Sequence, residues 1–162
     1  MSVAITTNTI TNSHIFTLNR FHIKSLTKYI LPLFFLLLMS CWKEESCYVP
    51  IGLTNFEIYP NDAYYAGLNN VGGYMYFHGG HRGVVVVRLA YNQFAAYERT
   101  CPADSTSAVI ASSDWGGQLL ECPKCHTLFV TSNDGLPLDG GATTCPLYQY
   151  STSYSGGVLM VY

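Results

Sequence analysis

The sequence has few charged residues, and positive charge is the scarcer kind. Lys and Arg number eight against ten Asp and Glu, and charged residues make up only 11% of the 162 residues. Three of the basic residues precede the apolar run at residues 29–39, which leaves five basic against ten acidic residues beyond it. Proteins that bind nucleic acid need a basic surface for the phosphates. This acidic balance therefore excludes nucleic acid as an expected partner.

No apolar run is long enough to span a membrane as a helix. The longest, YILPLFFLLLM at residues 29–39, has eleven residues, whereas a spanning helix needs about 20. Basic residues precede it and Ser40-Cys41 follows it, which is typical of a secretory signal. The segment Leu38-Met39-Ser40-Cys41 resembles a bacterial lipobox. We therefore predict a lipoprotein-type signal peptide at residues 1–40, a lipidated tether at 41–50 and a folded domain at 51–162.

Lipidation of Cys41 would anchor the protein to a membrane through its acyl chains. The acidic stretch Trp42-Lys43-Glu44-Glu45 resembles the short sorting signals that direct some lipoproteins to the cell surface. The expected location is the envelope of a Gram-negative bacterium, as an outer-membrane lipoprotein facing the periplasm or the outside.

The sequence also lacks the usual catalytic patterns. It has no nucleophile with a matching base, no paired carboxylates and no phosphate-binding glycine loop. Apart from a redox centre, considered below, nothing in the sequence supports an enzyme.

Long helical periodicity is missing as well, and short β-branched and aromatic stretches alternate with turn residues. This pattern is typical of an antiparallel all-β domain. Residues 61–70 are expected to form a turn or a short irregular helix. The predicted strands are residues 51–58, 73–77, 83–90, 92–99, 108–111, 118–122, 127–131, 148–154 and 158–162.

Cysteine is the residue type that points to chemistry. With Cys41 assigned to lipid, five cysteines remain, and outside the cytoplasm they are expected to form disulfides. An odd number leaves at least one thiol over, or bound to a metal. The Cys-x-x-Cys spacing of Cys122 and Cys125 is a compact chelate, and Pro102 and Pro123 stiffen two Cys-Pro loops.

Four stretches form a set: NNVGGY at residues 69–74, FAAYERTCP at 94–102, Glu121-Cys122-Pro123, and Phe129 followed by Gly135, Gly140 and ATTCPL at 142–147. With this set, residues 55–162 resemble the Rieske 2Fe-2S domains, and in particular the small bacterial Rieske-like lipoproteins. The resemblance implies stacked antiparallel sheets, a small cluster-binding loop subdomain and a role in electron transfer.

The family pattern is Cys-x-His in the first loop and Cys-x-x-His in the second. Cys101 and Cys122 match the two cysteine positions. Ala103 stands where the first histidine belongs and offers no ligand atom, and Cys125 stands where the second belongs. The resemblance therefore implies a Rieske-like domain with an incomplete histidine ligand set.

Three interpretations remain open at this point. In the first, Cys101, Cys122, Cys125 and His126 bind a metal centre such as a 2Fe-2S cluster, with Asp104 or Cys145 as a possible substitute ligand. In the second, a disulfide among Cys101, Cys122, Cys125 and Cys145 closes the loops of a metal-free binding or structural domain. In the third, the same ligands hold structural zinc. The first interpretation gives the expected function, a redox or electron-transfer module of the envelope with an unidentified redox or protein partner.

Overall fold

The computed structural model describes residues 47–162. The predicted signal peptide, the lipidation site at Cys41 and the first part of the predicted tether lie outside this range. Within it, no helix has the length and apolar character needed to cross a membrane.

The described chain is almost entirely β-structure, as predicted. One 3-10 helix, Ala63–Leu68, occupies the segment predicted to be a turn or an irregular helix. The strands are β1 (Phe56–Ile58), β2 (Tyr74–Phe77), β3 (Val84–Ala90), β4 (Gln93–Glu98), β5 (Ile110–Ser112), β6 (Gly116–Glu121), β7 (Leu128–Val130), β8 (Leu136–Pro137), β9 (Gln149–Tyr150), β10 (Thr152–Ser155) and β11 (Val158–Val161).

The strands form three antiparallel sheets, and the sheet of order β2-β3-β4-β9 supplies residues to both hydrophobic cores. Its longest strand, β3, begins with four consecutive valines that are all fully buried. Successive side chains of a strand point to opposite faces, so an unbroken apolar run requires both faces of the sheet to be covered. This strand is therefore the centre of the domain.

One core joins the central sheet to the sheet β1-β11-β10. Val84 and Val86 pack there with Ile58, Leu159 and Val161, and all five are fully buried. Burying a side chain of this size contributes roughly 1.5–3 kcal/mol. This half of the molecule is thus held by ordinary apolar packing.

The other core joins the central sheet to the sheet β5-β6-β7-β8. Val85 and Val87 pack there with Leu120 and Phe129. Two cysteines, Cys101 and Cys122, belong to the same buried cluster. The second core therefore extends into the two Cys-Pro loops.

Most predicted strands are present, with differences at their ends. The first strand begins at Phe56 instead of residue 51, and residues 47–55 form no regular structure. The strand β8 was not predicted, because Pro137 and the surrounding glycines indicate a loop. It pairs through Val130 with Leu136 and Phe129 with Pro137, and so forms the last strand of its sheet.

Candidate metal centre

The first cysteine loop begins where β4 ends. Cys101 donates its backbone N–H to the Ser107 carbonyl at 2.9 Å, and its own carbonyl accepts the N–H of Ser105 at 2.8 Å. Ser105 has φ +55°, which reverses the chain within the loop. These bonds fold residues 101–107 into a tight turn with the Cys101 side chain inside.

The second loop connects β6 to β7. The N–H of Cys122 donates to the Thr127 carbonyl at 3.0 Å, and the N–H of His126 donates to the Cys122 carbonyl at 2.9 Å. His126 has φ +57°, the left-handed conformation that closes such a turn. The turn returns the chain so that Cys125 faces the same interior as Cys122.

The two loops bring three sulfur atoms together. The Sγ atoms of Cys101, Cys122 and Cys125 all lie within 4.8 Å of one another, and those of Cys101 and Cys125 are 3.7 Å apart. Cys101 and Cys122 are fully buried, and Cys125 is half-buried. Burial, followed by the contact with Cys122, raises the pKa of Cys101 to about 12.

Cys125 has the opposite electrostatic setting. Its Sγ lies 3.3 Å from the Thr127 hydroxyl, which in turn accepts the backbone N–H of Ala142 at 2.9 Å. Burial acts to raise the pKa of Cys125, but the hydrogen bonds of Thr127 outweigh it and the pKa is lowered. A thiol with lowered pKa forms the thiolate more readily, and the thiolate is the form that binds metals.

Asp104 is the carboxylate next to this group. Its Oδ1 accepts the backbone N–H groups of Thr106 at 2.7 Å and Ser107 at 2.8 Å, while its Oδ2 lies 3.7 Å from the Cys122 Sγ. Burial opposes ionisation, but these backbone donors and the Lys124 ammonium 4.0 Å away hold the pKa of Asp104 at about 2. The side chain is therefore a fixed carboxylate with one oxygen facing the thiols.

His126, predicted as a ligand, does not join the sulfurs. Its side chain is 75% exposed, and its Nδ1 contacts the Glu121 Oε1 at 3.1 Å. The group of metal-binding side chains within the described residues comprises the three cysteines alone. The left-handed backbone at His126 closes the turn, and its imidazole faces solvent.

Cys145 corrects two predictions at once. It forms a disulfide with Cys47, with an S–S distance of 2.04 Å, so its sulfur is not free to act as a substitute metal ligand. The prediction that Cys145 forms a disulfide with a loop cysteine is wrong, because its partner is Cys47. The three loop thiols are unpaired. Cys47 lay in the predicted tether, and the disulfide instead joins it to the folded domain.

The arrangement does not fit the two-iron cluster that the family resemblance implies. A Rieske cluster takes two thiolates on one iron and two imidazoles on the other. Here Ala103 supplies no donor and His126 points to Glu121. The third thiol lies close beside the other two instead of standing across a cluster from them. The residues present therefore fit a centre with converging thiolates.

A second buried cluster, which the sequence did not indicate, lies just before Cys101. The fully buried Glu98 carboxylate accepts the N–H groups of His81 at 2.6 Å and Arg82 at 2.9 Å. It also accepts the N–H and the hydroxyl of Thr100, at 3.0 and 2.8 Å, and the hydroxyl of Tyr150 at 2.8 Å. A side chain on Gly80, which has φ +63°, would collide with this carboxylate. The turn between β2 and β3, which contains Gly79, Gly80 and Gly83 and is called the glycine turn below, is therefore built around Glu98.

No family model matches this chain, and no curated protein matches it. Two solved structures are similar to part of it. One is a complex of reduced oxygenase and oxidized ferredoxin in carbazole 1,9a-dioxygenase, with 24% identity over 56% of this chain and 80% of that chain, and a TM-score of 0.41. The other is the ferredoxin of carbazole 1,9a-dioxygenase from Nocardioides aromaticivorans IC177, with 19% identity over 57% of this chain and 86% of that chain, and a TM-score of 0.41. Because both TM-scores are below 0.5, the function proposed below rests on the residues of this chain.

Proposed function

We propose that this chain is a small redox module of the cell envelope, with a Rieske-like all-β body and an iron centre held by the thiolates of Cys101, Cys122 and Cys125. One observation carries the proposal: sulfurs from two separate loops converge within 4.8 Å of one another in the core. Thiolates favour copper(I), zinc and the iron of iron–sulfur centres. Zinc does not change oxidation state, and iron is the metal of the family that the sequence resembles.

The position of the sulfurs supports electron transfer. Cys101 and Cys122 are buried, which shields the centre from water, whereas Cys125 is half-buried and gives it an edge near the surface. A hydrogen bond to a ligand sulfur is one way a protein adjusts the reduction potential of an iron centre. The Thr127 hydroxyl, 3.3 Å from the Cys125 sulfur, is placed for this role.

The proposed location follows from the cysteines outside the centre. The disulfide between Cys47 and Cys145 supports an oxidising compartment, because such bonds are rare in the cytoplasm. Together with the lipobox-like sequence ending at Cys41, this supports an outer-membrane lipoprotein facing the periplasm or the outside. Its partners are then the membrane, through the lipid, and a redox protein of the envelope.

The test is to purify the full-length chain without air and to measure its metal content and spectrum. We expect bound iron, a coloured oxidised form with thiolate-to-iron absorption, and reversible bleaching by a reductant. A colourless protein that carries zinc, or no metal after anaerobic reconstitution with iron, would refute the redox function.

The second candidate is a metal-free binding or structural domain stabilised by disulfides. The Cys47–Cys145 disulfide favours it, because the chain already uses one such crosslink. Two of the three loop thiols would then pair after oxidation and leave one thiol. Thiol counting on unfolded, air-exposed protein checks this: one free thiol besides Cys41, with no bound metal, supports this candidate.

A further inference from the structure

Three sulfur atoms around one point suggest a single metal ion. A metal with thiolate ligands at about 2.3 Å in tetrahedral geometry holds neighbouring sulfurs about 3.8 Å apart. The Cys101 and Cys125 sulfurs are 3.7 Å apart, and all three sulfurs lie within 4.8 Å of one another. A two-iron cluster would instead place one sulfur across the cluster from the other two. The Cys101–Cys125 pair therefore already has the spacing of one edge of a tetrahedral site, and the other two pairs lie within 4.8 Å.

We infer that the loops bind one tetrahedral metal ion, ligated by Cys101, Cys122, Cys125 and the Asp104 carboxylate. The inference rests on the metal centre proposed above and specifies its nuclearity and its fourth ligand. It departs from the cluster chemistry of the family that the sequence resembles.

Asp104 is the fourth ligand because of how its two oxygens are used. Oδ1 is held by the backbone N–H groups of Thr106 and Ser107, so the carboxylate has a fixed direction. Oδ2 faces the Cys122 sulfur at 3.7 Å, where a tetrahedral oxygen ligand would stand about 3.5 Å from a neighbouring sulfur. Asp104 lies outside the group of atoms that are within 4.8 Å of one another, so its Oδ2 must move toward the Cys101 and Cys125 sulfurs when a metal binds.

The other side chains considered as fourth ligand are placed elsewhere. His126 is exposed and contacts Glu121, and Cys145 is covalently bonded to Cys47. Lys124 lies 4.0 Å from Asp104 Oδ2 and partly balances the negative charge that three thiolates and a carboxylate bring to a divalent ion. The first loop therefore supplies two ligands, and the second loop supplies the other two.

The experiment is a titration of the reduced, metal-free full-length chain with Co²⁺, followed by its visible spectrum. We expect one equivalent of Co²⁺ with the intense bands of tetrahedral, thiolate-ligated cobalt. X-ray absorption of the Zn²⁺ form should show three sulfurs at about 2.3 Å and one oxygen at about 2.0 Å. Two irons with inorganic sulfide in reconstituted protein would overturn the inference while supporting the redox function. One zinc ion in protein as isolated would support the single-ion site and refute the redox function.

The fourth ligand is tested with Asp104→Asn, which keeps an oxygen for the backbone donors and removes the charged oxygen. We expect the dissociation constant for Co²⁺ to rise by about 10- to 100-fold, with a shift of the visible bands. The matched control is His126→Ala, which should leave both the dissociation constant for Co²⁺ and the visible bands unchanged. Equal behaviour of the two variants, or an oxygen shell missing from the X-ray absorption of the unmodified protein, would overturn the role of Asp104.

Discussion

Glu98 and Cys101 lie close together at the end of β4 and are both fully buried, but their partners differ. Glu98 accepts five hydrogen bonds, from two residues of the glycine turn, from Thr100 and from Tyr150. Cys101 makes side-chain contacts with other thiols, at 3.7 Å in the case of Cys125. One cluster thus consists of an acceptor matched by donors, and the other of like groups facing one another.

The difference in hydrogen-bond partners indicates that the Glu98 cluster is structural and that the thiol cluster is the candidate functional site. A buried carboxylate is tolerated when hydrogen bonds replace its water, and Glu98 meets that condition within the chain. Buried thiols are weak donors and weak acceptors, so their convergence contributes little as hydrogen bonding. The hydrogen bonds of the folded chain stabilise the Glu98 cluster, whereas the proposal above requires metal binding or oxidation to stabilise the thiol cluster.

The largest effect is expected for Cys122→Ser on metal binding. Removing one of three thiolates should lower the Co²⁺ affinity by at least about 100-fold, because an alcohol is a much poorer ligand than a thiolate. The measurement is the cobalt titration described above. The control is the double variant Cys47→Ala, Cys145→Ala, which removes two cysteines outside the cluster and should retain metal. If Cys122→Ser still binds one ion tightly, the thiol cluster is not the metal site.

For the second cluster we expect a large effect on folding. Glu98→Ala should lower the free energy of unfolding by about 3 to 5 kcal/mol, because it leaves buried donors without an acceptor. Urea unfolding followed by near-UV circular dichroism measures this. Glu121→Ala is the matched control, since its partly exposed carboxylate contacts only an exposed histidine, and its cost should be about 0.5 kcal/mol or less. Similar values for the two variants would show that the Glu98 cluster is not structural.

The two clusters also show what the sequence could predict. The cysteines were predictable because Cys-Pro and Cys-x-x-Cys are local patterns whose geometry is set within a few residues. Glu98 was not, because three of its five donor groups lie far from it in the chain, 16 and 17 residues before it and 52 residues after it. No spacing rule links a strand-end glutamate to a glycine turn so distant in the chain. Alternating patterns predicted the strands for the same local reason.

The orientation of His126 and the disulfide could not be read from the sequence either. His126 follows Cys125 directly and was the natural candidate, but its left-handed backbone turns the ring toward Glu121. Cys145 lies in a glycine- and proline-rich segment and was predicted as a possible substitute ligand. Its partner Cys47 is 98 residues away, and disulfide connectivity is not determined by spacing.

The disulfide provides the next test of the comparison, because it stabilises without taking part in either cluster. Replacing Cys47 and Cys145 together by Ala should lower the free energy of unfolding by about 2 to 5 kcal/mol, since the bond closes a loop with a sequence separation of 98. Urea unfolding of metal-free protein under non-reducing conditions measures the effect. An unchanged stability, or a loss of Co²⁺ binding in the same variant, would show that the pair and the cluster are not independent.

The pH dependence of the unfolding free energy tests whether Glu98 is a carboxylate in the folded protein. Burial acts to raise the pKa of Glu98, but the N–H groups of His81 and Arg82, followed by Thr100 and Tyr150, outweigh it and lower the pKa below its ordinary value of 4.5. Its contribution is therefore complete above pH 4.5 and is lost as the pH falls through the lowered value. Tyr150 stays neutral throughout, because burial and the Glu98 carboxylate raise its pKa.

The experiment compares the unfolding free energies of the unmodified protein and Glu98→Gln between pH 7 and pH 3. Glutamine does not titrate, so the stability advantage of the unmodified protein should shrink as the pH falls below 4.5. The His81 ring contacts the Thr100 hydroxyl at 3.0 Å and so belongs to the same cluster. An advantage that grows in acid would mean that folding raises the pKa of Glu98, and a constant advantage would mean that folding leaves this pKa unchanged. In either case the five hydrogen bonds would not favour the carboxylate, and the contrast with the thiol cluster would fail.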